Sequence, residues 1–234
     1  MNLVLLFQSD FISKDRVRLT GRRGEHLTAI LKVEAGDTIT AGLCNGNMGQ
    51  AKVLEAGEEI LLQVDLSQPP PAALPLTLII PMIRPPMFKR LLFHTATLGI
   101  KKIIVLNFSR VEKSLWQSSA LKEDDVRHQL VLGLEQAKDT VLPEVIIRPQ
   151  FKPFVEDELP SLAKGTLALV AHPGSSQPCP KGPSQPVTLV IGPEGGLLDY
   201  ELQKLTDLGF GLMDLGPRIL RVESALPYII GRLF

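Results

Sequence analysis

Two short apolar runs near the carboxyl end, residues 187–191 and 210–215, each break into a loop of glycine and proline and then into a helical pattern. Continuous apolar runs of this length predict buried strands. A strand buried on both faces belongs to a sheet covered by helices, and in such sheets ligands sit just beyond the carboxyl ends of the strands. Residues 187–234 are therefore expected to build a site. The first loop is Gly192-Pro193-Glu194-Gly195-Gly196, and the second runs Leu215-Gly216-Pro217-Arg218-Ile219-Leu220-Arg221-Val222-Glu223-Ser224.

The residue types say what kind of site this is. Gly192, Gly195 and Gly196 let a ligand approach the main chain closely, and Pro193 stiffens the turn. Pro193 and Glu194 stand where a dinucleotide fingerprint needs its second glycine, which disfavours a nicotinamide-dependent oxidoreductase. No Lys-Ser/Thr pair follows the glycines, so a P-loop fails as well. A site that meets its ligand through backbone N–H and C=O groups fits better. One glycine loop alone is what any tight strand-to-helix turn shows. The second loop, with Arg218, Arg221, Glu223 and Ser224 close together, tips the balance towards binding.

The middle of the chain supports the same architecture. Strands are expected at 76–83, 101–108, 144–147 and 166–171, with helices at 88–98, closed by Gly99, and at 124–138. Strand and helix alternate from residue 76 onward, which predicts an α/β fold on a parallel sheet. Residues 172–186 form a long loop rich in Gly, Pro and Ser after a strand end, and loops of this kind are functional or disordered. His172 there is either a ligand contact or a capping histidine.

Residues 1–66 read differently. Short strands at 17–19, 37–43, 49–54 and 59–66, with a helical turn at 24–31, predict a small β-barrel, and the apolar N-terminus reads as a first strand. Residues 67–75, rich in proline, are expected to link this module (1–66) to the larger one (76–234). Lys14, Arg16, Arg18, Arg22 and Arg23 lie within ten residues, opposed there only by Asp15. They are either a solvated face or a patch that contacts phosphates. Formal net charge is zero, so any nucleic-acid affinity must come from such local patches. Cys44 and Cys179 are far apart and give neither metal-ligand spacing nor a disulfide framework. Without ligand spacing no metal is expected; no apolar run reaches the roughly 18 residues of a membrane span, so no membrane is expected, and the compartment expected is the cytoplasm.

Ile191-Gly192-Pro193-Glu194-Gly195-Gly196, followed by Leu215-Gly216-Pro217-Arg218-Ile219-Leu220-Arg221-Val222-Glu223-Ser224-Ala225, resembles the signature of the 16S ribosomal RNA uracil-N3 methyltransferases, the RsmE family of the SPOUT superfamily. Weaker matches are Thr97-Leu98-Gly99-Ile100, Glu135-Gln136-Ala137 with Leu142-Pro143-Glu144-Val145, and His26-Leu27 through Ile30-Leu31-Lys32 with Gly36-Asp37. The likeness covers nearly the whole chain. This sequence departs from the family in having Ser224 for the usual Thr, Lys32 for Arg and Thr97 for Glu, and in placing Pro227 early in the last helix.

The resemblance implies a SPOUT-type parallel sheet with a C-terminal trefoil knot, preceded by a PUA-like β-barrel. The knot comes from the resemblance alone, since connections as a rule do not thread. It also implies S-adenosylmethionine as methyl donor, a homodimer, and 16S rRNA or the small ribosomal subunit as partner. Donor binding falls to His172, Pro173, Gly174, Ile191, Gly192, Pro193, Glu194, Gly196, Leu215, Gly216, Ile219, Leu220, Ser224 and Ala225. RNA binding falls to Arg16, Arg18, Arg22, Arg23, Lys32, Arg84, Lys89, Arg90 and Arg110. Arg221 and Glu223 are the expected catalytic pair: a base for the N3 proton, or a cation for the charge that develops on the uracil oxygens. The alternatives are a non-catalytic RNA-binding protein that keeps the fold, or methylation of a different RNA base.

Overall fold

A computed structural model describes residues 1–234, which form two compact units. One comprises residues 1–72 with 131–142, and the other residues 73–130 with 143–234.

The first unit is a five-stranded sheet. Its strands are β1 (Val4–Leu6), β2 (Arg16–Leu19), β3 (Thr38–Leu43), β4 (Met48–Ala56) and β5 (Ile60–Gln68), in the order β1-β3-β4-β5-β2. Only β1 with β3 is parallel. The alternating pattern of β2 and β4 turns Val17, Leu19, Ala51 and Val53 into a core completed by Val4, Leu6, Leu27, Ile60 and Leu62. The pairing of β4 with β5 shifts register between Met48 and Gln50. There a Cβ on Gly49 would stand 1.9 Å from the Asp65 carbonyl oxygen, so only glycine fits. Residues 131–142 are bound in by main chain: the amides of Asn2 and Leu3 both donate to the Glu135 carbonyl, and that of Asn45 to Thr140.

Two expectations are corrected here. The helical turn expected at 24–31 is irregular, and its apolar residues Leu27, Ile30 and Leu31 are not buried together. Helix α1 (Gly21–Glu25) opens into a π turn (His26–Ile30), which breaks the three-four spacing. Leu27 is buried, whereas Ile30 and Leu31 are 66% and 46% exposed. The chain expected to link the modules also starts later, because Ser67 and Gln68 are the last residues of β5.

The second unit is a six-stranded, wholly parallel sheet between helices. In chain order it contains β6 (Leu76–Pro81), α2 (Pro85–Thr97), β7 (Lys102–Leu106), α3 (Glu123–Ala137), β8 (Glu144–Arg148), α4 (Phe151–Pro153), α5 (Leu159–Ala163), β9 (Leu167–Ala171), β10 (Val187–Ile191), α6 (Asp199–Asp207), β11 (Gly211–Met213) and α7 (Val222–Leu233). Only the first part of α3, through Leu130, belongs to this unit. The order is β11-β9-β10-β6-β7-β8. Every residue of β10 is buried, as a strand covered on both faces requires. Pro85 opens α2 at a position where no amide partner is needed, and Gly99 closes it at φ +79°. Phe151, Phe154, Val155 and Leu159, on a helical stretch assigned no element from sequence, pack into the core with Phe108 and Phe210. The last strand is shorter than expected: only Gly211–Met213 pair, and the chain leaves the sheet at Asp214.

Candidate donor site

Three strand ends lie level. Ala171 is in register with Ile191 on one side and with Met213 on the other. The loops that follow β9, β10 and β11 therefore leave the carboxyl edge of the sheet side by side, where open α/β sheets bind their ligands. They border a cleft that is open to solvent.

Of the residues expected at the donor, His172, Pro173, Ile191, Gly192, Pro193, Glu194, Gly196, Leu215, Gly216, Ile219, Leu220 and Ala225 line this cleft. Gly174 and Ser224 do not. The Gly174 amide instead donates to Asp214, and Ser224 is an exposed first-turn residue of α7. Ala171, Leu197 and Asp214 line the cleft as well and were not anticipated, and so do Arg218 and Val222 of the second loop.

The lining is mostly main chain and apolar side chain. Gly196 and Gly216 hold φ +75° and +105°, which only glycine adopts without strain. At Gly192 the limit is space, since a Cβ would stand 3.0 Å from Leu197 Cγ. The amides of Leu215, Ile219 and Leu220 have no acceptor within the protein. Ile219 is 78% exposed, the most open large apolar residue of the chain.

Asp214 ties the loops together. Its Oδ1 accepts from the Gly174 amide and its Oδ2 from the Gly216 amide, both at 3.2 Å. Its own amide donates to the Gln177 carbonyl, and its carbonyl accepts from the Cys179 amide. A carboxylate held by two glycine amides is a charge-assisted clamp on the turn geometry. Cys179 is buried beside it. Burial pushes the thiol above its ordinary range, with Arg232 opposing, so this cysteine stays protonated and inert at neutral pH.

A second clasp joins the loop after β7 to the loop after β10. Glu201, wholly buried, accepts from the Ser109 amide through Oε1 and from the Leu198 amide through Oε2, each at 2.8 Å. Next to it, Arg110 Nη1 donates to the Gly195 carbonyl at 2.6 Å.

Arg221 is the N-cap of α7, and Glu223 lies in its first turn. The two do not form an ion pair. Arg221 is exposed, and Glu223 Oε2 is sequestered without a hydrogen-bond partner. Pro227 lies inside the helix, beyond its first turn. Having no N–H, it cannot donate to the Glu223 carbonyl four residues back, so the helix ladder is interrupted at Glu223.

The arginines expected at RNA divide into two groups. Arg23 donates to the Leu5 carbonyl and to both oxygens of Asp10, with its guanidinium 5.0 Å from the Phe7 ring centroid. Arg22 forms a two-pronged pair with Glu135, at 2.9 and 3.0 Å. Both are held by partners within the first unit. Arg18 and Lys89 make exposed pairs, with Glu59 and Asp125. Arg16, Lys32, Arg84 and Arg90 are exposed. No group of three or more His, Cys, Asp or Glu side chains is arranged to hold a metal, and no helix is long and apolar enough to cross a membrane.

Residues 70–233 match the family described as RNA methyltransferase domain, and the chain belongs to that family. The Ribosomal RNA small subunit methyltransferase E of Treponema pallidum is 28% identical over 232 residues, covering 96% of this chain and 87% of its own. Ribosomal RNA small subunit methyltransferase E 1 of Borreliella burgdorferi is 26% identical over 247 residues, covering 96% and 94%. The fold is shared with a Ribosomal RNA small subunit methyltransferase E from Neisseria gonorrhoeae solved bound to S-adenosyl methionine. There the TM-score is 0.79 at 19% identity, over 98% of this chain and 95% of that one.

Proposed function

We propose that the protein transfers a methyl group from S-adenosylmethionine to N3 of a uridine in 16S ribosomal RNA. The observation that carries this reading is the cleft at three level strand ends, walled by glycine loops and lined by the unpaired amides of Leu215, Ile219 and Leu220. Family membership and the names of the relatives support the reaction class, and the N3 position follows the resemblance of the two C-terminal motifs.

The cleft fits the donor. Its apolar walls, Ile191, Leu197, Leu215, Ile219 and Leu220, suit a flat purine, and its free amides suit the ring edge. When bound, the donor supplies an electrophilic methyl on a sulfonium. Gly192, Glu194, Gly196, Leu215, Gly216, Ile219 and Leu220 would hold and orient it, together with His172, Pro173 and Ala225 of the same lining. Asp214 fixes the width between the loops.

Uracil N3 becomes a nucleophile only on losing its proton. Glu223, with a sequestered oxygen that no protein group occupies, takes that proton or orients the imide. Arg221, two residues before it and free of any carboxylate, balances the charge that develops on the uracil oxygens. N3 lies on the pairing edge, so the target base must be unpaired or flipped out. Arg16, Lys32, Arg84, Arg90 and Arg110 are the RNA contacts this reading favours.

The same reading extends to architecture. The first unit is a PUA-like RNA-binding barrel, the second a SPOUT domain whose C-terminal stretch is threaded as a trefoil knot, and the active form is a cytoplasmic homodimer. The bonds of Asp214 to residues 174, 177 and 179, after which the chain turns back into α7, support the threading. Primer extension on 16S rRNA from a strain lacking the protein tests the reaction. One uridine stop should be absent there, and it should return with purified protein and S-adenosylmethionine but not with the Glu223→Ala form. A stop pattern unchanged by deletion refutes the target.

A further inference from the structure

Arg110 lies along the donor loop. Besides its bond to the Gly195 carbonyl, its stem runs over the loop's glycines: a Cβ on Gly195 would stand 3.2 Å from Arg110 Cβ and 3.3 Å from its Cδ. Gly195 is not in the left-handed region, so a side chain here would crowd the arginine rather than strain the backbone. The main chain beside Arg110 is fixed as well, by the Ser109 amide on buried Glu201, whose other oxygen holds the start of α6. Arg110 itself is exposed and has no carboxylate partner. A guanidinium carries five N–H donors in a planar fork. The Gly195 carbonyl uses one edge, and Nε and Nη2 are left to solvent.

We propose that Arg110 is a positioning residue that couples RNA to donor, one edge of its fork on the Gly195 carbonyl and the other on a phosphate of the RNA. This rests on the methyltransferase reading above. Gly195 sits between Glu194 and Gly196, both of which line the donor cleft. A phosphate that fixes Arg110 thereby fixes the peptide groups on which the donor rests, and a bound donor in turn presents Arg110 to RNA. Linkage makes the effect equal in both directions. Lysine cannot replace it, because a single ammonium on a flexible stem lacks the planar fork that spans two acceptors.

The test is equilibrium dialysis of the full chain with labelled S-adenosylhomocysteine, with and without 16S rRNA. RNA should tighten binding to the wild type by at least about fivefold, the lower end of ordinary coupling. In Arg110→Gln and in Gly195→Ala, which displaces the arginine while keeping its charge, the ratio should fall to about one, and Arg110→Lys should stay well below the wild-type ratio. Loss of coupling in both the Gln and Ala forms, with melting temperatures retained, is not expected of a merely structural clamp. A wild type that methylates rRNA without coupling, or an Arg110→Gln form that keeps the full ratio, overturns the proposal and leaves the enzymatic reading standing. A wild type that takes up no donor and methylates no rRNA overturns the enzymatic reading itself.

Discussion

Replacing Glu201 tests how the carboxyl edge of the sheet is held. Its side chain is wholly buried and accepts two amide hydrogen bonds at 2.8 Å, one from the loop after β7 and one from the start of α6. Hydrogen bonds to a charged group contribute roughly 1.5–3 kcal/mol each. Taking the carboxylate out of water offsets part of that gain, so Glu201→Ala should cost about 3 kcal/mol, mostly from two amides left without acceptors. Glu201→Gln keeps one acceptor and turns an NH2 group on the other amide, and should cost about 1–2 kcal/mol. Trp116 is the only tryptophan and lies in the second unit, so its fluorescence during urea unfolding reads this unit by itself. Both variants should lower the midpoint without changing the slope. A Gln form within about 0.5 kcal/mol of wild type would show that the two bonds do not hold the loops, and the reasoning would fail.

Three further outcomes follow from particular side chains. Arg22→Ala strands a Glu135 carboxylate that is 2% exposed; because Arg22 itself is 42% exposed and partly screened by solvent, the cost should be about 1–3 kcal/mol by circular dichroism melting rather than a loss of RNA affinity alone. Arg84→Ala and Arg90→Ala should leave stability within about 0.5 kcal/mol but weaken RNA binding, each lowering the slope of log affinity against log salt by about one. Burial pushes the His26 imidazolium below its ordinary range, the amino terminus and Arg22 adding to this and Glu135 opposing it. The unfolded chain then binds the proton more readily. Stability is full above the unfolded value of 6.5 and falls as pH drops below it. The melting temperature should therefore fall between about pH 7 and pH 5, and His26→Gln should flatten that part of the curve.

The parallel sheet was legible because its strands are continuous apolar runs, and the donor loops because glycine and proline punctuate them. The cleft's long-range fasteners were not. Asp214 reads as the polar end of a strand pattern, and nothing local says that its two oxygens reach Gly174 and Gly216. Glu201 is three residues after Leu198, a spacing at which a glutamate can reach back to the N-cap amide, but an N-cap leucine hides that signal, and Ser109 is 92 residues away. The helical stretch at 151–163 carries Phe151, Phe154, Val155 and Leu159 at helical spacing, masked by Pro153 and Pro160 and by the π turn Phe154–Glu158 between its ends. Arg22 and Arg23 looked like a phosphate patch because their partners Glu135 and Asp10 are distant in sequence or on another element. The π turn of the first unit exposes Ile30 and Leu31 for a reason that periodicity does not encode.

Main-chain groups of the two glycine loops should hold the methyl donor, and crystals of the full chain grown with S-adenosylhomocysteine would show it. The purine should lie between Leu197 and Leu220, with its ring edge on the amides of Leu215, Ile219 or Leu220. Density for the ligand anywhere else, or none in this cleft when calorimetry shows it bound, would contradict it.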